Sequence, residues 1–404
     1  MRVSTFQVHA QASRQLQALG AQTAASQAQI STGKRINRPG DDPIGAARVV
    51  GLSQEIAARE QYIKNAQRAD GALERTETVF GRVIDVIHRV QELALEAGSG
   101  VKTPADLQFL ASEVNARFEE LLALGNSRGA NGEYLFSGFQ GDVEPFVVGE
   151  EEVTYQGDAG ERLVQIGAVQ NVQISDAGAA VFVNVDAYQT ALRVVENQSL
   201  GLQVAGVDIQ EQELLDAFAP DRLVIDFSDN SGQMQYTVRR GSDQRVVEGL
   251  ENIAYTGSDQ LNIAGVTISI SGSAVAGDRL ELSTQTQQSV FQTVRNLAEQ
   301  LANVTDVSDP AEMSAVIDAT IANLDNAHSV VLRARADIGA RFGVIESAIA
   351  QHEDVNLQLQ GLRSQEEDLD FAQAVSDLAY QSFVLEAAQQ SFVRINNLSL
   401  FNRL

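Results

Sequence analysis

Cysteine is absent from the 404 residues, which excludes disulfides, thiol catalysis and cysteine-ligated metal. Lysine occurs only at Lys34, Lys64 and Lys102, and arginine supplies the rest of the positive charge. No apolar run is long enough to cross a bilayer as a helix. Arg2 is followed by polar, helix-patterned sequence where a secretory signal would have its apolar core. Export, if it occurs, is therefore expected to use a route that cleaves no signal peptide. A formal net charge of −25 argues against nucleic acid, whose affinity rests on neutralising phosphates.

Recognisable chemistry is also scarce. The four histidines, His9, His88, His328 and His352, show no metal-ligating spacing, and His9 and His352 fall on helix seams as packing residues do. Nucleotide-binding glycine loops and the nucleophile elbow are missing, and Gly129-Ala-Asn-Gly132 lacks the Lys and Ser/Thr that a phosphate loop needs. The neighbouring carboxylates of Asp41 and Asp42 do not converge and read as loop or cap residues. The expectation is a protein with no catalytic site, metal or cofactor.

What is present lies at the two ends. The first forty residues contain no Asp or Glu but hold Arg2, Arg14, Lys34, Arg35 and Arg38. Apolar or small residues recur every seventh position at Leu16, Thr23 and Ile30, and at Ala12, Leu19, Ser26 and Gly33. Phe371, Leu378, Leu385 and Phe392 repeat the spacing at the other end. Two such seams imply an antiparallel pair of terminal helices. If position n faces position 405 − n, then Lys34, Arg35 and Arg38 lie near 371, 370 and 367, beside the acidic run Glu366, Glu367, Asp368 and Asp370.

Between the ends the pattern is nested. A long helix is expected from Pro43 to about Ala97, with Ile56 and Ile63 on one seam and Ala66, Leu73, Phe80 and Ile87 on another. A second starts at Thr103-Pro104 with the stripe Leu107, Leu110, Val114, Phe118 and Leu121, and stops near Gly125. Short strands follow at Tyr134–Phe136, Phe146–Val148, Val153–Tyr155, Leu163–Ile166 and Val172–Ile174. Residues 181–283 carry 15 acids against 6 bases, with strands expected at Leu223–Phe227, Met234–Val238 and Val266–Ile270 and a short helix near Ala187–Glu196. Helix is expected again near Ser283 and, strongly, after Asp309-Pro310. From there Ile317, Leu324, Val331, Ile338, Ile345, His352 and Leu359 keep a seven-residue spacing without a skip, as long packed helices do. The fold class is mainly α with a β-rich insertion. The expected divisions are a terminal coiled-coil domain of 1–42 and 363–404, a long-helix bundle with β-hairpins of 43–180 and 284–362, and an acidic β-rich outer domain of 181–283.

The stretch Gln29-Ile-Ser-Thr-Gly-Lys-Arg-Ile-Asn37, followed by Asp41-Asp42-Pro43, resembles the N-terminal signature of the flagellin superfamily. Phe392-Val-Arg-Ile-Asn-Asn-Leu-Ser-Leu-Phe-Asn-Arg-Leu404 resembles its C-terminal counterpart. Met1-Arg-Val-Ser-Thr5, Gly132-Glu-Tyr-Leu-Phe-Ser-Gly138 and Gly265-Val-Thr-Ile-Ser-Ile-Ser-Gly272 are closer to hook-associated members of that superfamily than to filament flagellin. The resemblance implies a secreted structural subunit of the bacterial flagellum at the hook–filament junction, with filament flagellin as the alternative. It implies terminal helices that are mobile in the free subunit and form a coiled coil on assembly. Its implied partners are further copies in a helical ring, hook-associated protein 1, flagellin and an export chaperone. The residues matched to assembly are Leu16, Leu19, Ile30, Arg35, Ile36, Asn37, Asp41, Asp42, Leu378, Leu385, Phe392, Ile395, Leu398 and Leu400. Phe371, Leu378, Leu385 and Phe392 are the expected chaperone contacts.

Overall fold

The computed structural model describes residues 5–99, 102–149, 152–197, 202–230, 232–263, 265–304 and 310–401. They divide into two compact units, one of residues 1–67, 165–170 and 345–404, the other of 68–164 and 171–344. These units cut across the three expected divisions, because the two longest helices, α2 (Pro43–Gly98) and α6 (Pro310–Glu367), each contribute to both.

In the first unit, α1 (Thr5–Thr32) packs along α7 (Phe371–Phe401). Gly33 stops α1 with φ +71°, a left-handed value that costs a side-chain-bearing residue energy, and its N–H returns to Gln29 O at 2.9 Å. Asp42 opens α2 by accepting the Gly45 N–H at 2.9 Å, with Pro43 at the first helical position. Asp41 accepts from Asn37 N at 3.1 Å and Arg38 N at 2.8 Å. The aspartate pair is thus a turn and a cap, as its sequence context implies. His352 is buried on α6, stacks on Tyr62 of α2, and holds the hairpin tip through Nε2 and Ile166 O at 2.8 Å. Its Nδ1 faces Arg59 Nη1 at 3.4 Å. A carbonyl only accepts and a guanidinium only donates, so the neutral Nε2–H tautomer satisfies both contacts.

In the second unit the two expected seams are occupied as expected. Leu73, Phe80 and Ile87 of α2 and Ile317, Leu324, Val331 and Ile338 of α6 are all buried. The stripe of α3 (Pro104–Gly125) is buried throughout, and its start carries a reciprocal capping box between Thr103 and Asp106. The cap expected at Asp309 lies outside the described residues. An aromatic cluster joins the helices to the hairpins: Phe146 meets Phe291 at 4.7 Å, Tyr155 at 5.3 Å and Phe182 at 5.4 Å, and Phe136 bridges Phe182 to Phe80.

The hairpins are β1 (Phe146–Val148) with β2 (Val153–Tyr155), and β3 (Leu163–Gln165) with β4 (Asn171–Gln173). Tyr134–Phe136 is not a strand. It makes one bridge, Arg128 to Tyr134, because Gly132 and Gly138 turn the chain at positive φ on either side. Gly138 has no room for a side chain, since the Asp158 carboxylate fills the space. That carboxylate accepts from Phe139 N at 2.9 Å and Gly160 N at 2.7 Å, which holds its pKa below the usual value. Its contribution to stability is present above the ordinary carboxylate range and lost as pH falls through the lowered folded value. Asp158→Asn is therefore expected to flatten the acid limb of the stability profile, read as the urea midpoint between pH 7 and pH 3. An acid limb unchanged by the substitution would count against this role.

The remainder of the unit holds a five-stranded antiparallel sheet ordered β5 (Asp186–Asn197), β12 (Arg279–Gln287), β7 (Arg222–Asn230), β8 (Gln233–Arg240), β9 (Ile253–Ala254). A three-stranded sheet is ordered β10 (Ser258–Ile263), β11 (Val266–Gly272), β6 (Leu202–Ile209), and the short α4 (Gln212–Phe218) packs beside it all. Leu223, Ile225, Ile268, Leu280 and Leu282 centre their shared apolar core. Two sequence expectations fail here. Residues 187–196 form strand β5, not helix: Thr190 and Leu192 are buried while Gln189 and Ala191 are exposed, a period of two paired to β12. Helix does not resume at Ser283, because β12 continues to Gln287 along β5, and α5 (Val290–Asn303) starts only where Ser289 can cap Gln292 N at 3.0 Å.

Candidate assembly interface

The α1–α7 pair is built from incompletely buried seams. Ala12, Leu16, Leu19, Thr23, Ser26, Ile30 and Gly33 are half-buried, and the described residues between them are largely exposed. On α7 the inward line is Ala374, Leu378, Gln381, Leu385, Ala388 and Phe392, of which Ala374 is buried and the rest half-buried. Polar links fill part of the seam, with Ser26 Oγ donating to Gln381 Oε1 at 2.9 Å. Phe371, expected on this line, is instead 53% exposed. It lies where α1 has already ended, so its neighbour is Gly33 rather than a helix face.

The basic and acidic clusters do meet. The two linkers join by an antiparallel bridge between Lys34 and Asp368, with Arg35 N to Glu367 O at 2.7 Å and Leu369 N to Gly33 O at 3.0 Å. Lys34 pairs with Glu367, Arg35 with Asp42 at 3.2 Å and Glu366 at 3.8 Å, and Arg48 with Glu366 at 3.1 Å. Lys34 was expected opposite 371 and meets 368, because non-helical linkers rather than continuous helices set this crossing. Arg38 makes no side-chain ion pair among the described residues. These pairs are solvent-exposed, each worth about 0–1 kcal/mol, so they set register more than stability.

Several expected assembly residues are spent within the chain. Ile36 is buried, and a side chain at Gly45 would strike it. Asn37 accepts from Thr32 Oγ1 at 2.7 Å, and Asp41 and Asp42 hold the turn and cap already described. The pKa of Asp42 is lowered chiefly by the Gly45 N–H. Leu16, Leu19, Ile30, Leu378, Leu385 and Phe392 are brought together on the seam. The side chains of Ile395, Leu398 and Leu400 lie outside the described ones.

The seven-residue spacing did not single out the outer faces of α7. Val375, Tyr380, Phe383 and Val393 are 52%, 70%, 69% and 55% exposed. A signal was available: Phe371–Phe401 contains only Asp377, Glu386 and Arg394 as charged residues. A helix with so few charges and with large apolar residues on more than one face is one that becomes buried. In the same unit Ile44, Val50, Leu357 and Leu362 are also exposed. No described helix is long and apolar enough to cross a membrane.

Residues 3–141 match the bacterial flagellin N-terminal helical region. The chain is 32% identical over 182 residues to flagellar hook-associated protein 3 of Escherichia coli (strain K12), covering 45% of this chain and 57% of that protein. To its Salmonella typhimurium counterpart it is 33% identical over 156 residues, 38% of this chain and 48% of that protein. The chain thus spans about half the length of these curated relatives, at 57% and 48%. Among solved structures, hook-associated protein 3 of Legionella pneumophila aligns over 78% of this chain and 97% of its own, with a TM-score of 0.53 and 24% identity. Xanthomonas campestris FlgL aligns over 78% and 99%, with a TM-score of 0.51 and 24% identity. The fold, with long terminal helices and a central β-rich region, is therefore shared with these proteins.

Proposed function

We propose that this chain is a structural subunit of the bacterial flagellum, the adaptor that joins hook to filament, and not an enzyme. The observation that carries this reading is the α1–α7 pair, whose seams are only half-buried and whose outer faces expose Phe371, Val375, Tyr380, Phe383 and Val393. A soluble monomer gains nothing from displaying that surface, whereas neighbouring copies in a ring would cover it. The likeness to hook-associated protein 3 over much of the fold supports the junction role.

In this reading residues 1–42 and 363–404 order fully on assembly, 43–180 and 284–362 form the supporting bundle, and 181–283 faces outward. Leu16, Leu19, Ile30, Leu378, Leu385 and Phe392 lie between subunits, with Arg35, Ile36, Asn37, Asp41 and Asp42 shaping the linker beneath them. Ile395, Leu398 and Leu400 are assigned to the same interface in this reading. The neighbours are further copies, hook-associated protein 1 on the hook side and flagellin on the filament side. Before assembly an export chaperone covers Phe371, Leu378, Leu385 and Phe392.

Filament flagellin is the second reading, favoured by 32% identity over 111 residues to a flagellin of Bacillus subtilis (strain 168). One experiment separates them. In cells lacking their own hook–filament adaptor, expression of this chain should restore attached filaments, while the purified chain alone should form no micrometre-long polymer. Self-polymerisation into long filaments without rescue would make it a flagellin.

A further inference from the structure

Of the three histidines whose side chains are described, His352 has both ring nitrogens engaged. His88 and His328 have neither engaged by any described residue, and their rings face each other across α2 and α6 with centroids 5.0 Å apart at 48°. We propose that this pair is a binding site for a divalent transition-metal cation of the zinc, nickel or copper type.

The spacing carries the proposal. Imidazole nitrogens sit about 2.0–2.1 Å from zinc, and the ring centroid lies about 1.1 Å farther along the bond. Two imidazoles on one ion at a tetrahedral angle then have centroids about 5.1 Å apart, which matches the observed separation. His88 is exposed and His328 partly so, which gives the ion a path from solvent. The surrounding charge favours a cation. Asp85 and Asp325 each lie three residues before a histidine, on the same helix face, and Asp325 accepts from Gln91 Nε2 at 2.7 Å. Arg89, next to His88 in the chain, is occupied by Glu92 at 2.8 Å and Glu113 at 2.6 Å, and Arg335, whose charge reaches Asp85, is paired with Glu77 at 2.5 Å. No group of three or more His, Cys, Asp or Glu among the described residues is placed to hold a metal, so the remaining ligands would be water. Imidazole prefers these ions, with copper held most tightly. Because one ligand comes from each long helix, the ion would tie α2 to α6, and its binding would add to the stability of the folded chain.

The test is zinc titration by calorimetry into the purified full-length chain, without a histidine tag, at pH 7.5. One site per chain is expected. H88A and H328A should each weaken it by about tenfold or more, while H9A leaves it unchanged. Zinc should raise the melting temperature of the parent chain and not that of H88A, whose exposed position keeps the fold intact. Copper electron paramagnetic resonance should report two nitrogen ligands in the parent and one in each variant. Absence of saturable zinc binding below millimolar concentration, or binding that survives both H88A and H328A, overturns the site.

Discussion

Removal of residues 371–404 is expected to leave a folded, monomeric core that no longer assembles. The buried anchors of the second unit, Leu73, Phe80, Phe136, Phe146 and Phe291, lie outside the deleted segment, and its melting transition should be unchanged. Among its described side chains α7 contributes one buried residue, Ala374, so the loss of intramolecular burial is small. Assembly is a different matter. Each Phe, Tyr or Val covered by a neighbour contributes roughly 1.5–3 kcal/mol, reduced by the entropy of ordering the helices. A milder variant isolates the surface: Tyr380→Ser with Phe383→Ser removes two rings that are 70% and 69% exposed. Its melting temperature should match the parent, while its affinity for the assembling end drops about 100-fold, since roughly 1.4 kcal/mol is a factor of ten. The measurements are thermal melting and sedimentation of the subunit with isolated hook ends. Collapse of the core fold on truncation, or normal assembly of the double variant, would refute the division of labour between the units.

Phe146→Ala is expected to produce the largest loss of stability from a single substitution. Its ring contacts Tyr155, Phe182 and Phe291 and is 1% exposed. Truncating a buried Phe typically costs about 3–5 kcal/mol through lost transfer energy and the cavity left behind. The upper end applies here because backbone forms two of the walls. A Cβ placed on Gly178 would stand 2.8 Å from Phe146 Cζ, and one on Gly125 would stand 2.9 Å from its Cδ2. Those walls belong to α3 and to the segment before the π-helical turn Ala179–Val183, and they cannot move inward without breaking their own hydrogen bonds. Urea unfolding followed by near-ultraviolet circular dichroism measures the effect. A change below about 1 kcal/mol would show that the site collapses freely.

Much of the architecture is legible in the chain because helical periodicity is a local property. The unbroken line from Ile317 to Leu359 is buried at every position, and the stripe of α3 behaves in the same way. The half-buried seams of α1 are the small and apolar positions that recur by sevens. Errors fell where pairing overrides local preference. Ala187–Glu196 can be read as a helix from its composition, yet β12 supplies a partner and the alternation of Thr190 and Leu192 prevails. Tyr134–Phe136 has strand composition, but the glycines on either side leave room for only one bridge.

The long helices, the charge complementarity of the ends and the likeness to flagellins are all legible along the chain, because each is written in spacing and residue type within single segments. Tertiary structure decided which residues those segments leave uncovered. Ile36, Asp41 and Asp42 look like surface determinants in the linear signature, yet they are consumed by packing, a turn and a cap. Tyr380 and Phe383 do not share the expected α7 seam, yet they are the most exposed rings among the described side chains of α7. His88 and His328 have no relation in sequence and become neighbours only because α2 and α6 run side by side. Burial and proximity are properties of the whole chain, set by which faces find partners.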